Sequence, residues 1–282
     1  MSTQSSVKRS VRDFYDRIGW RKDARGIFAD AAKFEDLRPV SAEYRSRCLL
    51  RVNKFLTRSG TFLLDVASGP LQHPEHKTYA DGFRKRICAD MSFSALQEAR
   101  TALQGRCSCV QGDIVHLPFK DDTIDGVISL HTVYHVPAEE QIGAFREIAR
   151  VLTRYHTAVV VYAWGNHSSL MALALAPLLP FKLGKKFFAT IVRRTKSPVA
   201  QSSRTPQLYF HPHTRRYLVR HLEPHMKFDV LVWRSLSVPC LKLYFHTWLF
   251  GRFLLNVIYT LEDAFPRVLG RCGAYPLFVV KK

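Results

Sequence analysis

The chain has 282 residues, of which 47% are hydrophobic and 23% charged. That is long and apolar enough to bury one large core or two small ones, and it excludes the disordered and fibrous classes. Lys and Arg number 42 against 23 Asp and Glu, a net charge of +19, and the excess is uneven, because residues 161–282 hold 18 basic and only 4 acidic side chains. A field of that sign draws anionic membranes, nucleic acid or negatively charged substrates without choosing among them.

The first 58 residues are charged and helical in pattern, with Tyr44, Cys48, Val52 and Phe55 on one stripe; they read as a helical preface. Residues 61–66 (TFLLDV) form a short apolar run that ends on Asp65 and passes into Ala67-Ser68-Gly69-Pro70, as a buried parallel strand passes into a tight loop. Residues 86–90 repeat the theme and end on Asp90, and Ser92 can cap a helix over residues 91–100. Further strands are expected at 107–110, before Asp113, and at 126–130, and a helix at 138–152 carries Ile142, Phe145, Ile148, Ala149 and Leu152 at helical spacing. The β-branched run 157–163 must be buried on both faces, and 228–233 and 275–280 supply two more strands.

Strands alternating with helices specify an α/β class, a doubly wound, seven-stranded, mostly parallel sheet with ligands at the carboxyl ends of its strands. The expected division is a preface at 1–58, a nucleoside-binding core at 59–164, and at 165–282 cap insertions plus the last two strands. Within the cap, the apolar run 170–181 leads into Lys182, Lys185, Lys186, Arg193 and Arg194. That composition fits an interfacial segment on anionic lipid or a lid over an apolar pocket.

No span is expected, since about 20 nearly uncharged residues are needed: the run 170–181 is short and holds Pro177 and Pro180, and 239–261 is broken by Lys242, His246 and Arg252. The N-terminal MSTQSSVKRS lacks the apolar core of a signal peptide. The six cysteines are scattered, and Cys107 and Cys109 have no second pair at zinc spacing, so free thiols, no metal and a reducing, cytoplasmic setting are expected, with peripheral membrane contact left open.

Three acids, Asp65, Asp90 and Asp113, each stand near a strand end. There they can accept from the ribose hydroxyls, amino group and cationic head of a nucleoside ligand, while Gly69 admits the backbone closely; alternatively each simply caps a helix. A hydride cofactor is disfavoured, because the loop has one glycine where a pyrophosphate wants Gly-x-Gly-x-x-Gly.

At these residues the sequence resembles the class I S-adenosylmethionine-dependent methyltransferases, particularly the ubiquinone/menaquinone branch acting on small molecules. Four pieces of residues 60–163 carry the resemblance in order: Leu64-Asp65-Val-Ala-Ser-Gly69, Ala89-Asp90-Met-Ser92, Gln111-Gly-Asp113 with Leu117-Pro-Phe119, and Phe145-Arg-Glu-Ile-Ala-Arg-Val-Leu152. It implies a Rossmann-like methyltransferase fold with S-adenosylmethionine as cofactor. Asp65, Ala67, Ser68 and Gly69 would line its methionine end, Asp90 would accept from the ribose, Met91 and Ile114 would flank the adenine, Asp113 would accept from the adenine amino group, and Leu130 would border the site. Ala67 and Leu71 stand where the family has glycines, and Thr153-Arg-Tyr-His156 stands where it has a Pro-Gly-Gly turn.

Methyl transfer needs alignment and, for some nucleophiles, a base. His135 and His131 follow the fourth strand with Tyr134 between them, and either histidine can serve as base or merely shape the pocket. Tyr15, Trp20 and Arg38 of the preface, and Tyr209, His211 and His213, are the substrate-side candidates. A small-molecule acceptor is the leading expectation. RNA modification by the basic C-terminal part, or a non-catalytic scaffold, are the alternatives.

Overall fold

A computed structural model describes residues 3–178 and 208–282; Phe181 and the basic residues Lys182 to Arg194 of the expected interfacial segment lie outside them. Seven strands form one sheet: β1 Gly60–Val66, β2 Phe83–Asp90, β3 Cys107–Gln111, β4 Ile124–Leu130, β5 Leu152–Val161, β6 Lys227–Arg234 and β7 Tyr275–Lys281. Their order is β3-β2-β1-β4-β5-β7-β6, parallel except for β7, which runs antiparallel to both β5 and β6. The expected doubly wound sheet is therefore present. The chain reverses its direction of travel between β1 and β4, and a crevice opens there at the carboxyl ends.

Alternation along the strands divides the apolar residues between two layers. Leu64, Val127 and Val160 face the helix α5 Gln141–Val151 through Phe145 and Ile148, whereas the adjacent Leu63, Ile128 and Val159 pack on the other face with Tyr44, Cys48 and Leu255. The helix over Phe93–Ala102 (α4) is capped as expected, with Ser92 Oγ accepting from the Ala95 amide at 3.1 Å. One expectation fails: Thr153 to His156 are not a turn but the opening of β5, whose register on β4 shifts between Ile124 and Gly126. Tyr155 adopts a left-handed φ of 64° there, and its amide donates to the Lys282 carbonyl at 2.7 Å, so pairing with the C-terminal strand replaces the turn.

The preface comprises α1 Thr3–Phe14, α2 Ala29–Phe34 and α3 Pro39–Leu50. Beyond the core, α6 Ser169–Ala174, α7 Arg215–Leu222, α8 Val238–Tyr244, α9 Gly251–Ala264 and α10 Pro266–Cys272 complete the chain. Among the described residues, no helix is long and apolar enough to cross a membrane.

The helix α3 is joined to α9 and to the end of β6 by one buried carboxylate. Glu262 accepts from Tyr44 Oη (2.6 Å), from the Ser235 amide (2.7 Å) and Oγ (2.6 Å), and from Arg51 Nη1 (2.8 Å), which also donates to the Trp233 carbonyl. Glu262 and Arg51 are fully enclosed, so removing one charge strands the other. Arg51→Met is expected to cost about 3–5 kcal/mol in chemical denaturation, and Arg51→Met with Glu262→Gln is expected to recover part of that. A loss under about 1 kcal/mol in the single variant would show that the pair does not hold these elements together.

Candidate functional site

A cavity of about 870 Å³ opens at the carboxyl ends of the strands. Its floor begins at the loop after β1, where Ala67, Gly69 and Leu71 all take left-handed backbone, with φ of 54°, 56° and 56°. That conformation costs an L-residue roughly 1–2 kcal/mol. The cost is met locally: the Ala67 amide donates to the Ala89 carbonyl at 2.6 Å, and the Leu71 side chain is buried with Cys88, Leu96 and Ala99. The loop thus keeps a glycine-type path without the glycines. At Gly69 a side chain would also crowd Trp20, whose ring lies 3.2 Å from where a Cβ would stand.

The three acids sit in different environments. Asp90 is half-buried, and among the described residues its carboxylate is met by backbone amides alone, Gly69 to Oδ2 at 2.9 Å and Ser92 to Oδ1 at 2.8 Å. Burial pushes its pKa up to about 6, against the pull of those two amides. Asp65 also borders the cavity, but its carboxylate is bound by the buried Arg86 guanidinium, which donates as well to the His76 carbonyl at 2.6 Å. The expectation that Asp65 serves a ligand's cationic end is corrected to this extent: its first partner is Arg86. Asp113 accepts from Lys8 Nζ at 2.7 Å and from the Val115 amide at 3.1 Å, and Lys8 pairs also with Glu140. The N-terminal helix α1 is thereby tied to the third acid, and the two carboxylates hold the Lys8 ammonium above its ordinary pKa despite the opposing effect of burial. Ser68, Met91, Ile114 and Leu130 all border the same space.

The candidate residues after β4, His131, Tyr134 and His135, all border the cavity, with Thr132 and Val136 beside them. The His135 Nδ1 lies 2.6 Å from the Tyr209 carbonyl oxygen, which can only accept. The proton is therefore on Nδ1, and Nε2 carries the free lone pair. Burial pulls His135 down to about 4, so the ring is neutral at pH 7. His131, at a left-handed φ of 60°, is pulled to about 3 by burial and by the nearby Arg234, and it packs edge-on against Trp233 and Tyr275. Tyr15 stacks on Trp20 with centroids 4.6 Å apart and meets His135 edge-on, so both preface aromatics roof the cavity.

Four expected substrate-side residues are placed elsewhere. Arg38 forms a two-pronged pair with Asp36 (2.7 Å on each prong) and reaches the Leu241 carbonyl at 2.8 Å, tethering the preface to α8 rather than lining the cavity. Tyr209, His211 and His213 stand behind the wall. Tyr209 accepts from the Ala138 amide at 3.2 Å, His211 supplies its carbonyl to Gln141 at 2.8 Å, and the His213 ring donates to the Ala138 carbonyl at 2.9 Å. Their neighbours Leu208 and Phe210 face inward instead, because successive residues of an extended segment alternate sides. Among the described residues, no three His, Cys, Asp or Glu side chains gather to hold a metal ion. The sequence reading missed Lys8, His76, Trp233 and Arg234 as cavity residues. Only Arg234, a charge closing an apolar strand, carried any signal.

Residues 64–156 match the family model described as "Methyltransferase domain". The chain is similar to the probable tRNA methyltransferase 9B of Bos taurus, 24% identical over 134 residues that cover 46% of this chain and 28% of that protein. It is also similar to the mitochondrial arginine-hydroxylase NDUFAF5 of Danio rerio, 30% identical over 159 residues that cover 52% and 46%. The matches thus span less than half of either relative. Among solved structures, geranyl diphosphate C-methyltransferase from Streptomyces coelicolor A3(2), in complex with Mg2+, geranyl diphosphate and S-adenosyl-L-homocysteine, superposes with a TM-score of 0.55 at 11% identity over 98% of this chain and 97% of that one. The fold is that of the class I methyltransferases.

The left-handed backbone at Ala67 yields a stability prediction. Ala67→Gly relieves the strain and is expected to stabilise the protein by up to about 1 kcal/mol, after the greater chain entropy of glycine is subtracted. An unchanged or lower melting temperature would show that the loop holds no such strain.

Proposed function

We propose that this chain is an S-adenosylmethionine-dependent methyltransferase acting on a small, partly apolar molecule. The observation that carries the reading is Asp90. It is a half-buried acid at a strand end whose two oxygens are aligned by backbone amides and keep a lone pair each for further donors. Neighbouring Gly69 has the backbone conformation and the missing side chain that close approach requires.

On this reading the core 59–164 holds the cofactor, with the ribose hydroxyls at Asp90, the adenine between Met91 and Ile114, its amino group at Asp113, and the methionine end along Ala67 to Gly69. Lys8 already occupies Asp113, so the preface 1–58 acts as a lid whose ion pair shares that acid with the ligand. The cap 165–282 shapes the acceptor site, for which Met171, Leu175 and Phe210 give apolar surface. Bound S-adenosylmethionine supplies a methyl group on a cationic sulfur. The protein supplies alignment, exclusion of water by Tyr15 and Trp20, and a proton acceptor, His135 Nε2. With its pKa near 4, His135 suits a nucleophile whose proton becomes acidic as the methyl arrives rather than one that must ionise beforehand.

A second reading, RNA modification, is favoured by the net charge and by the tRNA methyltransferase relative. The roofed cavity favours a small molecule, since a base would have to be extruded from its strand to enter. Retardation of RNA by the protein at physiological salt would reverse that preference.

Calorimetric titration with S-adenosylhomocysteine tests the cofactor site. Asp90→Ala is expected to weaken binding ten- to a hundredfold, the worth of charged hydrogen bonds of about 1.5–3 kcal/mol. The ionised carboxylate is the accepting form and its pKa is about 6. Affinity should accordingly be constant above neutrality and fall as the pH drops through 6, and the fall should vanish in Asp90→Ala. No binding at millimolar ligand would overturn the reading. His135→Gln is expected to leave that affinity intact and to lower methyl transfer about 10²–10⁴-fold in a screen of small-molecule acceptors; an undiminished rate would remove His135 as the proton acceptor.

A further inference from the structure

The cavity wall at the end of β6 holds a guanidinium with no ion-pair partner among the described residues. Arg234 ends β6 with only 4% of its surface exposed, yet it makes no hydrogen bond or ion pair with any described residue. Its Nε is enclosed and unpartnered, and its closest interactions are with the faces of Tyr275 and Trp233, at 4.6 and 5.0 Å from the ring centroids. Buried arginines are normally paired, because an isolated charge out of water is costly. No acid among the described residues forms an ion pair with Arg234: Glu262 holds Arg51, Tyr44 and Ser235, and Glu35, which acts on Arg234 only through its field, meets His73 at 2.8 Å and Arg45 at 3.9 Å and keeps Oε2 without a hydrogen bond.

Two further donors border the same space. Trp233 Nε1 and Ser237 Oγ are both buried without partners. Together with Arg234 they put an unmatched cation and two unmatched neutral donors on β6 and the turn that follows it. β6 and the loop after β1 stand at different places along the sheet, although Trp233 reaches back to meet His131 edge-on with ring centroids 4.5 Å apart. The order β1-β4-β5-β7-β6 puts four strand spacings between β1 and β6, about 19 Å at ~4.8 Å each.

We infer that Arg234, with Trp233 and Ser237, binds an anionic group of the acceptor substrate, a carboxylate or a phosphate, whose apolar body lies against Met171, Leu175 and Leu208. A guanidinium fork suits both anions, and 870 Å³ lies toward the upper end of the range for ligand pockets, consistent with two molecules sharing it. The inference rests on the methyl-transfer reading for the word substrate, but the anion site stands on its own geometry.

The test uses the full chain and short amphiphiles: hexanoate and hexyl phosphate against hexanol and hexanamide, followed by Trp fluorescence and calorimetry, with S-adenosylhomocysteine titrated in parallel. In the natural sequence the anions should bind at least tenfold more tightly than the neutral compounds. Arg234→Gln should abolish that preference and Arg234→Lys should keep part of it, while affinity for S-adenosylhomocysteine stays within twofold. Arg234→Met, which removes an unpaired buried charge, should raise the melting temperature of the ligand-free protein. Equal binding of anions and neutral compounds, or a preference that survives Arg234→Gln, overturns the inference. So does a tenfold loss of S-adenosylhomocysteine affinity in that variant, which would assign Arg234 to the carboxylate of the cofactor. Anion preference in a protein that fails to bind S-adenosylhomocysteine would retain the site and remove the methyl-transfer reading.

Discussion

The buried carboxylate of Glu262 is the constraint on which the far half of the molecule depends. It is shared by a tyrosine and an arginine of the preface and a serine just past the end of β6. Elements more than 200 residues apart in the chain therefore meet at one charge. Because an unpaired carboxylate in that position is so unfavourable, the arrangement is close to all-or-none. It also fixes where β6 ends, and hence where the next side chain back, Arg234, must point. Arg51 takes that acid, and Arg234, one residue before the Ser235 that also binds it, borders the cavity.

The same accounting separates the three acids at the near end. Asp65 is neutralised by Arg86 and Asp113 by Lys8, both full cations. Asp90 is met only by the dipoles of two amides, which align it without cancelling its charge. Of the three it is the one still able to reward an incoming donor strongly, because no cation among the described residues pairs with it; burial raises its pKa, as it raises that of Asp65. Asp113 differs in that its partner comes from α1, so whatever binds there is coupled to the position of the N-terminal helix.

The sheet was legible because its signal is local. Apolar runs, each closing on a polar residue and separated by helical periodicity, are written residue by residue, and the spacing of Asp65, Asp90 and Asp113 follows from that regular alternation. The side chains of the site were less legible wherever long-range packing decides their direction. In the extended stretch Tyr209 to His213, which residues face inward depends on its seating against Ala138 and Gln141, and the inward face proved to belong to Leu208 and Phe210. Arg38 is drawn away from the cavity by an acid two residues before it, a pairing that the sequence does display. Arg234 closes an apolar strand, and its burial against the Trp233 and Tyr275 rings depends on tertiary packing that the sequence does not display. The Ala67 and Leu71 replacements look like the loss of a loop geometry, but a backbone hydrogen bond in one case and a buried side chain in the other preserve it.

Two cavity groups are thus left without an ion-pair partner among the described residues, the Asp90 carboxylate at the end of β2 and the Arg234 guanidinium at the end of β6. On the proposed reading this matches the two reactants, a cationic sulfonium held near acids and an anionic acceptor held near Arg234. The fields of the two walls act on opposite charges, and in a space roofed from water by Tyr15 and Trp20 they are weakly screened. Methyl transfer moves positive charge from the sulfur toward the acceptor, and therefore toward the end of the cavity where a bound anion would have cancelled the charge of Arg234. A neutral acceptor would leave that guanidinium uncovered and would meet a repulsive field as it gained the methyl. The basic wall can accordingly select among acceptors at the chemical step as well as at binding, because the penalty for a missing anion grows as the charge moves across.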